Sequence, residues 1–164
     1  MEDVYAMTRI SKEITIQAPV GKVFGFVCKP SNLPRVWRSL VEIKDEQILE
    51  NGKCSFNWRY EMGGILLVGS GKITDIAPSQ WIVAEMDGSV KCTMTFAFRS
   101  LGRITKLFLT VDYQIPIPIV GWLVGKSIIK LNEQEADTMM SNIRTSCEHI
   151  TGPLLLSTGV TGSA

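Results

Sequence analysis

Few side chains in this sequence bring reactive groups, and their neighbours decide how each is read. Tyr60 and Tyr113 fall on the apolar sides of alternating segments, so either hydroxyl would sit in an apolar interior. A buried hydroxyl needs a partner, which is a ligand oxygen or a backbone carbonyl. Glu85 and Asp87 alternate with Ile82, Ala84 and Met86. Turned inward, Glu85 would have a raised pKa and serve as a general acid or base. A solvated outer face explains both acids more simply, and the same holds for Arg59 and Glu61 around Tyr60. The one histidine, His149, falls in the last turn of a predicted helix, where positive charge complements the helix dipole. With no second histidine there is no dyad, and no catalytic residue is assigned.

Cys28, Cys54, Cys92 and Cys147 are far apart and show no C-x-x-C spacing. Beside a single histidine they do not form a structural zinc set, and their apolar neighbours mark them as buried free thiols. No metal site and no cofactor is expected. Free thiols and an acidic start, MEDVYAMTRI, that does not read as a signal peptide point to a reducing, cytoplasmic setting.

The chain of 164 residues is long enough for one domain with a sizeable core. Its net charge is +1, with lysines and arginines scattered, so no electrostatic footprint for nucleic acid exists. The longest apolar stretch, Ile115 to Val124, is broken by Pro116, Pro118 and Gly121 and halted by Lys126. It falls short of the roughly 20 apolar residues that a membrane span requires.

Periodicity supplies the frame. Ser11 to Gln17 reads as a first strand, Ala18-Pro19 stops it, and Val20, Val23, Phe24 and Val27 recur at helical spacing. A second helical piece is predicted over Asn32 to Leu40, carrying Leu33, Val36, Trp37 and Leu40. Val41 to Glu50 alternates weakly up to Asn51-Gly52, a hairpin signal. The next strand places Cys54, Phe56, Trp58, Tyr60 and Met62 on one face, and Gly63-Gly64 turns the chain. Ile65 to Ile76 follows, where Gly69 and Gly71 predict a bulge or sharp bend. Two more turns, at Pro78-Ser79 and Gly88-Ser89, bound Trp81 to Asp87. Then Val90, Cys92, Met94, Phe96 and Phe98 share a face, as do Thr105, Leu107, Leu109, Val111 and Tyr113 beyond Leu101-Gly102. Hairpin follows hairpin, so the sheet is an antiparallel meander.

A long helix, about 120 to 150, closes the pattern. Ile128, Ile129, Asn132, Ala136, Met139, Met140, Ile143 and Cys147 run along one side, while Glu133, Glu135, Asp137, Asn142, Arg144 and Glu148 are assigned to the other. Gly152-Pro153 ends it. The expected layout is an N-terminal extension (1–9), one domain (10–151) and a flexible Gly-, Ser- and Thr-rich tail (152–164).

This order resembles the helix-grip fold of the START and polyketide-cyclase superfamily (Bet v 1-like, SRPBCC). The likeness rests on Ile16-Gln-Ala-Pro-Val-Gly-Lys-Val-Phe24, on Asn32-Leu-Pro-Arg-Val-Trp37, and on the last strand from Arg103 to Pro116. It spans about residues 10 to 150. The implied fold is α+β, a curved antiparallel sheet (β-α-α-β6-α) wrapped around the C-terminal helix. The resemblance also implies a cavity between sheet and helix for lipids, sterols, polyketides or similar molecules. Some family members are cyclases or dehydratases and many only bind and carry, so fold alone does not decide on an enzyme.

The expected function is therefore binding, and transport, of a small hydrophobic ligand. The expected lining is Trp37, Trp58, Tyr60, Met62, Cys92, Met94, Phe96, Leu109, Tyr113, Trp122, Ile129, Asn132 and Ala136. Methionines Met62, Met86, Met94, Met139 and Met140 favour an adaptable surface. Segment 115–125, stiffened by prolines and hinged by glycines, is expected to act as an apolar portal around Trp122. Transient membrane contact through it, aided by Lys126 and Lys130, is a further expectation. The alternatives are a cyclase or dehydratase-type enzyme and a protein-interaction module that escorts a lipid-like cofactor. An inward acid or base favours the enzyme, a charge-free cavity the carrier, and a filled cavity with an exposed apolar patch the module. Oligomeric state stays open.

Overall fold

Seven strands pair into one antiparallel sheet in the order β1-β7-β6-β5-β4-β3-β2. The computed structural model describes residues 5–116 and 126–149. Strand β1 (Tyr5–Ile16) pairs along its length with β7 (Ile104–Pro116). Between them in sequence come β2 (Leu40–Ile48), β3 (Cys54–Met62), β4 (Ile65–Ala77), β5 (Trp81–Gly88) and β6 (Lys91–Leu101), each paired with the next. Helices α1 (Val20–Val27) and α2 (Leu33–Val36) link β1 to β2, and α3 (Lys126–His149) follows β7. This is the expected α+β helix-grip architecture.

The alternation read from the sequence sets the two faces. Thr105, Leu107, Leu109, Val111 and Tyr113 are all buried on β7, as are Met94, Phe96 and Phe98 on β6. Glu85 and Asp87 are exposed, while Ile82, Ala84 and Met86 between and before them are buried. The acidic face of β5 therefore points outward. Outward ion pairs such as Arg9–Asp112 (2.6 Å) and Lys106–Glu13 (3.2 Å) cross the β1–β7 seam. Being solvated, they contribute little stability.

Helix α3 packs most closely on β1, α1 and α2. It buries Ala136, Met139, Met140, Ile143 and Cys147. Polar ties fix its position: Asn142 Nδ2 donates to the Val36 carbonyl (3.0 Å), and the Gln17 backbone N–H donates to Glu148 Oε1 (2.8 Å). The buried Thr105 hydroxyl donates to the Ala18 carbonyl at 2.8 Å, pinning the chain where it leaves β1.

Three local expectations are corrected. The helix predicted over Asn32 to Leu40 is a single turn of 3-10 helix (Pro30–Asn32) followed by α2, because the backbone turns extended at Trp37 (φ −119°, ψ 99°). The first strand begins at Tyr5 and not at Ser11, so residues 5–9 belong to the sheet. Gly69 and Gly71 do not form a bulge: the register of β4 shifts between Ile73 and Asp75 instead. These glycines pair directly with Trp58 and Phe56 on β3. A Cβ on Gly69 would fall 2.4 Å from the Trp58 ring, and one on Gly71 would fall 2.6 Å from the Phe56 ring. Each glycine makes room for an aromatic ring lying across the sheet. The Asn51-Gly52 turn behaves as its composition demands, with positive φ at both residues (60° and 76°).

Candidate functional site

The concave face of β3 to β7 does not close completely on α3. A cavity of about 80 Å³ remains between them. It lies under Trp58, Tyr60 and Met62 from β3, Cys92 and Met94 from β6, and Tyr113 from β7. Trp37 borders it after α2, and Asn132 and Ala136 border it from α3. These nine belong to the expected lining. Phe96 and Leu109 do not line the cavity. They pair with each other across β6 and β7 and are 3% and 1% exposed within solid core. Trp122 and the rest of 117–125 lie outside the described residues, as does the side chain of Ile129.

The lining also includes Ile10 on β1, Leu40 on β2, Leu67 on β4, Val90 and Val111, which the sequence reading did not assign to it, and Met86 on β5 and Met139 on α3, which it counted among the adaptable methionines. Val111 belongs to a face read from the sequence, whereas Leu40 had been read as helical and Ile10 had been left outside the first strand. Four flexible methionines, Met62, Met86, Met94 and Met139, thus surround one small space.

The largest correction concerns Glu135. The sequence reading placed it on the outer side of the closing helix, yet it lines the cavity and is half-buried. Three neutral donors converge on its carboxylate. Tyr60 Oη–H donates to Oε2 at 2.5 Å and Trp37 Nε1–H donates to the same oxygen at 3.3 Å. The Ser39 hydroxyl donates to Oε1. Trp37 packs edge-on to Tyr60 with ring centroids 5.3 Å apart and planes at 68°. The extended backbone at Trp37 is what aims the indole at both. Burial raises the Tyr60 hydroxyl well above its ordinary value, and the Glu135 carboxylate raises it further.

A second polar pair faces the same space. Asn132 Nδ2 donates to the Tyr113 hydroxyl at 3.3 Å. A phenol that accepts one bond keeps its own proton to donate. Asn132 and Glu135 stand three residues apart on α3, hence on neighbouring positions of one helix face. The arrangement offers an acceptor at Glu135 and a donor at Tyr113, set in apolar walls.

The remaining candidates stay outside this chemistry. All four cysteines are free thiols. Of them Cys92 borders the cavity, and burial first and the Asp112 charge second push its thiol up to about 12. A thiol so raised is a poor nucleophile. His149 is exposed at the end of α3. Among the described residues no cluster of metal-ligating side chains occurs, and no helix is long and apolar enough to cross a membrane.

Comparison with known proteins gives the wider setting. The fold is similar to an aromatase/cyclase from Streptomyces (12% identity, TM-score 0.71, covering 88% of this chain and 95% of that one). A protein from Thermus thermophilus is similar at 17% identity and TM-score 0.76, covering 88% of this chain and 99% of its own. A START superfamily protein from Mycobacterium smegmatis is similar at 17% identity and TM-score 0.72, covering 87% and 99%. At such identities the likeness is one of fold. No curated protein matches the sequence. Residues 7–148 match the family described as polyketide cyclase / dehydrase and lipid transport. The chain belongs to that family, on the START-like helix-grip fold.

Proposed function

We propose that the protein binds a small, largely apolar molecule between the sheet and α3, for transport, storage or presentation. The observation that carries this reading is the unfilled space bounded by apolar and aromatic side chains. Binding would draw on burial of apolar ligand surface, at about 25 cal/mol per Å². The hydroxyls of Tyr60 and Tyr113 and the amide of Asn132 would fix orientation. A space of about 80 Å³ is well below the roughly 300–1,000 Å³ of drug-sized sites. A lipid, polyketide or sterol-like ligand would need the methionines to move aside. Native mass spectrometry of protein purified from its own source tests the reading. A retained small molecule supports it, and bare protein that also ignores small aromatic probes removes it.

Glu135 favours a second reading, an enzyme of the cyclase or dehydratase type. A carboxylate facing an apolar cavity can take a proton from carbon beside a carbonyl, while Tyr113 donates to the carbonyl oxygen. Exchange of such protons of a bound ketone into deuterated water tests it. Exchange that the parent accelerates and Glu135→Gln does not supports the reading; equal rates oppose it.

A further inference from the structure

We propose that the cavity selects ligands whose polar end is a protonated amine, seated against Glu135 among the rings of Trp37, Tyr60 and Trp58. This rests on the binding reading above and adds the chemical class of the ligand.

Charge is the first argument. Among the described residues Glu135 is the one acidic side chain that lines the cavity, and no lysine, arginine or histidine lines it. The ion pairs Arg9–Asp112, Lys12–Asp137, Arg59–Glu42 and Lys106–Glu13 lie away from the cavity. The donors that reach Glu135 are an indole, a phenol and an alcohol, all neutral. Among the described residues, then, the donors that hold this carboxylate bring no positive charge to it. A bound cation would neutralise it, whereas a bound carboxylate would add a second negative charge beside it.

Valence is the second. A carboxylate accepts at about four lone-pair sites. Among the described residues Oε2 takes two donors and Oε1 takes one, which leaves Oε1 with acceptor capacity for one more. An ammonium N–H donating to Oε1 would make a charge-assisted bond, stronger than the bond a neutral hydroxyl would make there.

The walls are the third. Trp37, Trp58, Tyr60 and Tyr113 supply four aromatic rings to one small space. Aromatic faces attract cations, most strongly when water is excluded. The same rings and the methionines accept the apolar remainder of an aryl- or alkylamine. Fatty acids, with their anionic heads, are the class this arrangement rejects.

The test compares three probes with one aromatic body and different heads: phenethylamine, phenethyl alcohol and hydrocinnamate. Binding to the full chain is followed by quenching of tryptophan fluorescence and by calorimetry at neutral pH. The amine is expected to bind on the order of tenfold or more tighter than the alcohol, with hydrocinnamate weakest. Glu135→Gln, nearly isosteric, is expected to bring the amine-to-alcohol ratio close to unity. A melting curve checks that the variant folds, and should it not, the ranking of the three probes by the parent decides alone. An amine bound no better than the alcohol, or a preference that survives Glu135→Gln in folded protein, overturns the proposal while leaving a binding cavity. Failure of all three probes to bind overturns the binding reading and the amine proposal together.

Discussion

The Tyr60 hydroxyl donates to Glu135 Oε2 at 2.5 Å, tying β3 to α3 across the cavity. The bond spans 75 residues of sequence and joins the sheet to the helix it grips. Net hydrogen bonds to charged groups contribute about 1.5–3 kcal/mol, against roughly 1 for neutral pairs. Tyr60→Phe is therefore expected to destabilise the protein by about 2 kcal/mol, lowering Tm by several degrees. Tyr113→Phe, which loses a 3.3 Å neutral bond to Asn132, should cost less. Thermal unfolding of both variants checks the order, and a larger loss at Tyr113 would contradict it.

Alkaline pH should weaken the fold. Burial pushes Cys54 and Cys147 up to about 11 and Cys92 to about 12, from an ordinary 9.0. A thiol whose folded value is raised keeps its proton when the unfolded chain has lost it. Its stabilising effect is full below the unfolded value of 9.0 and is lost as pH rises towards 11 and 12. Tyr60 acts in the same direction above its ordinary 10.0. Urea unfolding across this range should show stability falling with pH, and Cys92→Ala should show a shallower fall. A flat profile in the parent would refute the assignment of buried thiols.

Gly69 is held by its neighbours and Gly21 is free of them. An added methyl at Gly69 would meet the Asp87 carbonyl at 2.1 Å and the Trp58 ring at 2.4 Å. Overpacking of this kind costs about 1–3 kcal/mol. Gly69→Ala should lower Tm and disturb Trp58 fluorescence. Gly21, exposed on α1 with nothing within 4 Å of its Cβ position, should gain up to about 1 kcal/mol as alanine. Equal effects of the two substitutions would contradict the close approach of ring and glycine.

Cavity and core can be separated by truncation. Met139→Ala should cost about 2–5 kcal/mol and widen the cavity, so that a bulkier aromatic alcohol binds. Phe96→Ala should cost about 3–5 kcal/mol yet leave binding of phenethyl alcohol unchanged, because Phe96 lies outside the lining. Calorimetry on both variants checks this. Loss of binding in Phe96→Ala alone would place the site elsewhere.

Most of the sheet was legible because two-residue alternation is a direct image of burial. The faces of β3, β6 and β7 follow from Cys54 to Met62, Met94 to Phe98 and Thr105 to Tyr113 without correction. Turn chemistry at Asn51-Gly52 and Gly63-Gly64 set the hairpins, with positive φ at all four residues. The glycines of β4 were misread, since a bulge and a ring resting on a strand leave the same sign in a single sequence. Pattern also could not say where along a face the open space lies, so Phe96 was grouped with Met94. The missed residue of greatest consequence is Glu135. It stands three positions after Asn132 and four before Met139, which puts it on the flank of the buried stripe. Its carboxyl identity argued for water. Donors from Trp37, Ser39 and Tyr60, about 75 to 98 residues away in sequence, reversed that assignment.

The central claim is tested most directly by nuclear magnetic resonance of protein with labelled methionine methyls, titrated with phenethylamine or phenethyl alcohol. Met62, Met86, Met94 and Met139 face the cavity, whereas Met140 is buried outside its lining. The predicted result is saturable shifts at those four methyls with Met140 unmoved. Shifts at none of the four, or at Met140 alone, would contradict a ligand seated between the sheet and α3.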